Sequence, residues 1–149
     1  MKIQTITLAM LVVVSAPSRS AFQAREYNTW YIKNAVLYDM TQTTDGIPVM
    51  LSISQPERKS ANLLVSYITE GRCGGTRQEL NVNGKVLPAT YYCVQVGQNR
   101  IEHFSVKDAQ SVNGMVNHLK SDFTLLLQND IKVWAANINA PKYGLAPRF

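Results

Sequence analysis

Two cysteines and two histidines are the side chains here with distinctive chemistry to offer. Cys73 and Cys93 stand twenty positions apart in RCGGTRQELNVNGKVLPATYYC, residues 72–93, and are the only thiols in the chain. A metal centre would need about four ligands at short spacings. Only His103 and His118 could join the cysteines, and neither lies two to four residues from one. A nucleophilic thiol would need a base beside it, and Cys73-Gly74-Gly75 has no nearby second thiol. A disulfide needs only that the chain fold back on itself. Asn83-Gly84, between alternating apolar and polar residues, is a strong hairpin signal, because a tight I′ turn demands positive φ at both central positions. Cys73 and Cys93 are therefore read as a staple. It closes a loop of 21 residues counting both ends, for about 3 kcal/mol by the chain-entropy argument.

The remaining polar residues assemble no catalytic pattern. Glu102 adjoins His103, but neighbours in an extended strand point to opposite faces. His118 falls on a helical stretch and reads as a half-exposed helix residue. Asp39 and Asp45 flank a Thr-rich turn, and Asp122 and Asp130 flank a strand; all four read as turn formers. There is no Gly-x-Ser-x-Gly elbow, phosphate loop, His-Glu-x-x-His pair or dinucleotide fingerprint. No catalytic residue, metal ligand or cofactor is assigned, and the expectation is a protein that is not an enzyme. Binding falls to the aromatics. Trp30, Tyr31, Trp134 and Tyr143 are the first to inspect, with at least two of them serving the core. Tyr91 and Tyr92 are consecutive in a strand, so one faces inward and one outward. The partner-binding candidates are Tyr91, Tyr92, Trp30 and Trp134.

Around these residues the chain must supply a compartment and a scaffold. Lys2 precedes an uncharged run from Ile6 to Ala16, and small residues at Ser18 and Ser20 lead to Ala21. This is the layout of a secretory signal peptide over residues 1–20, with Ala24 a second place for the cut. The run is too short for a membrane-spanning helix, which needs about 20 apolar residues. Export brings oxidising conditions, in which a cysteine pair closes. The expected location is the periplasm or outside the cell, with no transmembrane segment in the mature chain. The formal charge is +5; losing Lys2 and Arg19 leaves thirteen basic against ten acidic side chains, or +3. The basic residues are scattered, not arranged in a stripe with aromatics, which argues against nucleic acid as a partner.

Residues 21–149 are expected to form a single β-rich domain. Alternation predicts strands over residues 27–40, 47–54 and 63–69, in the segments leading into and out of Asn83-Gly84, and over 90–96 and 100–106. A terminal hairpin is predicted from Phe123–Leu127 and Ile131–Ile138. Ala109, Val112, Met115, Val116 and Leu119 recur at helical spacing, with Asp108 or Ser105 as the cap. Gly114, inside that helix, is read as a point of close approach to a sheet. Tyr143, Leu145 and Phe149 are expected to pack back from the tail. The fold class is mainly β with one helix: an antiparallel β-sandwich or twisted sheet covered by a single helix.

The order VNGKVLPATYYC, a polar strand, a helix ending Leu119-Lys120, FTLLL and a final strand resembles the C-terminal half of the invasion-associated locus B family, over residues 80–140. The resemblance implies an exported bacterial protein with a disulfide-bearing β-sandwich and no catalytic site. The chain departs from the pattern in lacking the family's additional cysteines; none follows Trp30 before Cys73. No functional residue is carried over. The expected role is protein–protein contact in the bacterial envelope or with a host. The alternatives are an inhibitor of a secreted hydrolase, acting through the loop QPERKSAN or EGRCGG, and an enzyme with a dispersed site.

Overall fold

Apolar residues at every second position build two sheets, and a computed structural model describes them through residues 26–74 and 79–144. The segment read as a signal peptide, with Leu145 and Phe149, lies outside the described residues. The strands are β1 (Tyr31–Lys33), β2 (Val36–Gln42), β3 (Pro48–Ser54), β4 (Asn62–Glu70), β5 (Leu80–Val82), β6 (Lys85–Leu87), β7 (Thr90–Val96), β8 (Asn99–Val106), β9 (Leu125–Leu127), β10 (Ile131–Val133) and β11 (Lys142–Tyr143); α1 is Ala109–Lys120. The main sheet runs β11-β1-β2-β3-β4-β8-β7, and the smaller one runs β10-β9-β5-β6. The described residues are mainly β with one helix, as expected. The main sheet is mixed, not purely antiparallel, because β11 joins β1 in parallel.

Alternation fixes which way each strand faces. Val49, Leu51 and Ile53 of β3, Leu63 and Val65 of β4, and Phe104 and Val106 of β8 all turn to one side and are buried. On that side lie α1 and the small sheet. Val112, Met115, Val116 and Leu119 of the helix join Leu80, Leu127, Ile131 and Val133 in the same core. Asp108 is the helix cap, its carboxylate accepting from the Ser111 amide at 3.0 Å. Gly114 makes no close approach: a Cβ there would meet nothing within 4 Å, and the residue opens onto a surface groove.

The long strand predicted over residues 27–40 is two strands. Asn34 and Ala35 both adopt positive φ, 51° and 59°, and turn the chain back within two residues. Alanine at such a position gives no turn signal, which is why the alternation read as continuous. The reversal shifts the phase. Ile32 pairs with Leu37 on the core side, while Tyr31 pairs with Tyr38 on the outer side. The predicted run Ile131–Ile138 is likewise a strand only to Val133.

The disulfide Cys73–Cys93 is formed, with the Cα atoms 5.8 Å apart. The Asn83-Gly84 hairpin between the cysteines is present as β5–β6, both turn residues having positive φ. It belongs to the small sheet, whereas Cys93 lies on β7 of the main sheet. The bridge ties the chain leaving β4 to β7, across β8.

Candidate interaction surface

Residues of the main sheet that alternate with the core positions form its outer face. Register places them in rows across the strands. One row is Tyr92, His103, Ser66, Met50 and Met40; the next is Val94, Ile101 and Ile68; a third runs from Thr90 through Ser105, Leu64 and Ser52 to Tyr38. The helix and the small sheet pack on the opposite side. Between β2 and β7 this face carries no Lys, Arg or Asp, and its one carboxylate, Glu70, stands at the end of β4. A sheet face turned to water is ordinarily polar. Tyr92, Val94 and Val96 are the large hydrophobic side chains exposed on this face, each about half accessible at 46, 45 and 47%.

His103 sits within the face. Its Nδ1 lies 2.7 Å from the Ser66 hydroxyl, and its ring stacks on Tyr92 with centroids 4.5 Å apart. Burial lowers its pKa below the ordinary histidine range, favouring neutral imidazole. Serine and histidine in contact could form a nucleophile and base, but the adjacent carboxylate is on the other side. Glu102 points inward, where its Oε1 accepts from Arg100 Nε at 3.0 Å and from the Tyr91 hydroxyl at 3.1 Å. Strand alternation thus separates Glu102 from His103, as the sequence implied. Burial, and then Glu102, raise the pKa of Tyr91 and of Tyr67.

The four partner-binding candidates do not form one surface. Tyr92 faces outward, beside Val94. Tyr91 faces the core and lies against Phe104, with centroids 5.2 Å apart. Trp30 is fully buried and presents no side-chain surface on the outside of the domain. Its Nε1 donates to the Trp134 carbonyl at 2.9 Å, and its backbone is bracketed by the Asn137 side chain. Its place in the core reflects the phase of the hidden turn at Asn34-Ala35. Trp134 is exposed, with Lys132 Nζ 6.0 Å from its ring centre, and it borders a polar cleft of about 290 Å³ that also includes Thr41, Gln42 and Asp130. This cleft is remote from Tyr92, being built on the other sheet's β10 and the end of β2.

His118 borders a second recess, a groove of about 350 Å³ between α1 and the β5–β6 hairpin, with Met115, Leu87 and Leu125. The residues lining it include no carboxylate. The ring stacks on Phe123, and Nε2 lies 3.3 Å from the Thr124 carbonyl. The loops considered for an inhibitor are both pinned. Asn113 of α1 accepts from the Glu57 amide and donates to the Arg58 carbonyl, and Arg100 donates to the carbonyls of Glu70 and Arg72. Among the described residues no group of three or more His, Cys, Asp or Glu could hold a metal. No helix among them is long and apolar enough to cross a membrane.

Two features escaped the sequence reading. The outer face, without Lys, Arg or Asp, required the register of five strands. Asp39, read as a turn former, is in the middle of β2 and is 1% exposed, with no hydrogen-bond partner among the described residues for either carboxyl oxygen. Burial pushes its pKa up to about 7; the amides of Met40 and Thr29 temper the shift without reaching hydrogen-bond geometry. No protein-family model matches the chain, and no curated protein or solved structure matches it.

Proposed function

We propose that this is an exported, non-enzymatic bacterial protein that works by protein–protein contact, through the outer face of its main sheet, in the periplasm or at the cell surface. The observation that carries the reading is the run of uncharged residues across β2, β3, β4, β8 and β7, ending in exposed Tyr92, Val94 and Val96. Exposed apolar side chains grouped on a domain whose core is already filled mark an interaction site, and tyrosine is among the residue types that carry most of the energy at such sites. The Cys73–Cys93 bridge is consistent with an oxidising compartment outside the cytoplasm. The proposal rests on this surface and not on the likeness of residues 80–140 to the invasion-associated locus B family.

Crosslinking in the native envelope, followed by mass spectrometry, tests it. A specific foreign protein should be captured by the wild-type chain. It should be lost with Leu64→Glu or Ile68→Glu, which put a charge into the middle of the face. Recovery of the chain alone under several growth conditions, or capture unaffected by both variants, overturns the reading.

A further inference from the structure

β7 is the last strand on its side of the main sheet. It joins β8 through Gly97-Gln98, with Val96 opposite Asn99 and positive φ at Gly97. A two-residue turn of this kind closes on a hydrogen-bonded pair, and such pairs alternate along an antiparallel ladder. Val96, Val94, Tyr92 and Thr90 therefore bond to β8. Tyr91, Cys93 and Gln95 turn their amides and carbonyls to the free side, where no backbone hydrogen bond from the described residues meets them.

Sheet edges exposed to water are usually guarded by shortness, lysine, proline or a bulge. β7 has none of these guards. It is seven residues long, TYYCVQV, without a charge or a proline, and its pairing with β8 is unbroken from Thr90 to Val96. Its outward side chains Tyr92, Val94 and Val96 leave apolar surface at the same margin.

We infer that β7 pairs with β7 of a second copy of this chain, antiparallel about a two-fold axis, to make one continuous sheet of fourteen strands, twice the seven in each copy. A two-fold interface must be complementary to itself, and this strand is. With the axis at Val94, Tyr92 of each copy faces Val96 of the other, an aromatic on a β-branched residue. Cys93 then stands opposite Gln95 in the hydrogen-bonded positions, which are the ones whose backbone groups are free. The strand is neutral, so no like charges oppose each other even though the chain as a whole is positive. One strand pair buries less than the roughly 800 Å² per partner of a stable interface, so the dimer is concentration-dependent. This pairing is independent of what binds the face of the sheet, although it would double that face.

Sedimentation of the disulfide-bonded protein at rising concentration should show a monomer passing to a dimer. Val94→Lys sets two ammonium groups face to face and should raise the midpoint concentration by roughly tenfold or more, with an unchanged melting temperature. Phe123→Lys, at an exposed site away from β7, should leave it unchanged. Hydrogen exchange supplies a second readout without mutation: amides of Tyr91, Cys93 and Gln95 should slow with concentration, while Tyr92 and Val94 stay slow throughout. A monomer up to the solubility limit overturns the inference. So does a dimer that ignores Val94→Lys, or one whose three outward amides keep exchanging freely.

Discussion

At one end of the main sheet β11 offers two residues, and at the other β7 offers seven. The short edge is closed by polar and steric means. Pro141 precedes it, Lys142 stands on it, and the Lys142 amide donates to the Trp30 carbonyl at 3.0 Å. Glu26 accepts from Lys142 Nζ and from the Tyr31 hydroxyl, each at 2.8 Å. Lys142 in turn holds the Glu26 carboxyl below its ordinary pKa, while burial, helped by Glu26, pushes Tyr31 up to about 12. Gly144 passes so near that a Cβ there would lie 2.7 Å from Tyr31 Cδ1. Among the described residues the long edge has no comparable guard on its free side. One sheet thus carries a finished margin and an open one, and the residue types separate them: charge, proline and glycine at one end, neutral alternation at the other.

The largest effect should come from breaking the finished margin. Trp30→Ala removes a fully buried indole and its bond to Trp134, and should cost about 3–5 kcal/mol in urea unfolding. The β11 pairing should be lost first. Opening the bridge at the other margin comes next. Cys73→Ser with Cys93→Ser should cost about 3 kcal/mol, and amide exchange should accelerate along β7 more than along β1 and β2. Equal acceleration at both margins would contradict the contrast.

Asp39 makes the finished half pH-sensitive. Folded, its carboxyl keeps its proton up to about pH 7; unfolded, it ionises near 3.8. The folded chain therefore holds an extra proton between these values, and this group's contribution to stability falls as pH rises from about 4 to about 7, then levels off. Asp39→Asn should flatten that slope. It should raise stability by about 2 kcal/mol near pH 8 and change little near pH 4, with a ceiling of about 4 kcal/mol. Thermal melts across pH measure this. The smallest effect on folding should be Val94→Lys, within about 0.5 kcal/mol because the side chain already meets water; its consequence is on association. A large loss of stability there would mean that the open margin is not open.

Much of the fold could be read from local rules. Val49, Leu51 and Ile53 keep period two, the helix keeps its 3.6-residue stripe, and Asn83-Gly84 announces its turn. These signals lie within a few residues of one another, and so do the forces behind them. The turn at Asn34-Ala35 left no such mark, and with it went the placing of Trp30 and the split of the first strand. Assigning Tyr91 to the core and Tyr92 to the surface needed the position of the neighbouring strand.

The amino-acid order by itself determined that this chain is mainly β, that a helix lies over residues 109–120, and that Cys73 and Cys93 join. Alternation, helical spacing and the lack of any other thiol leave few choices for these. Strand order was decided only in the folded molecule, because pairing depends on which edges meet across long stretches of chain. That order buried Asp39, sent Trp30 inside, closed one margin with residues from the far end of the chain, and left β7 at the other.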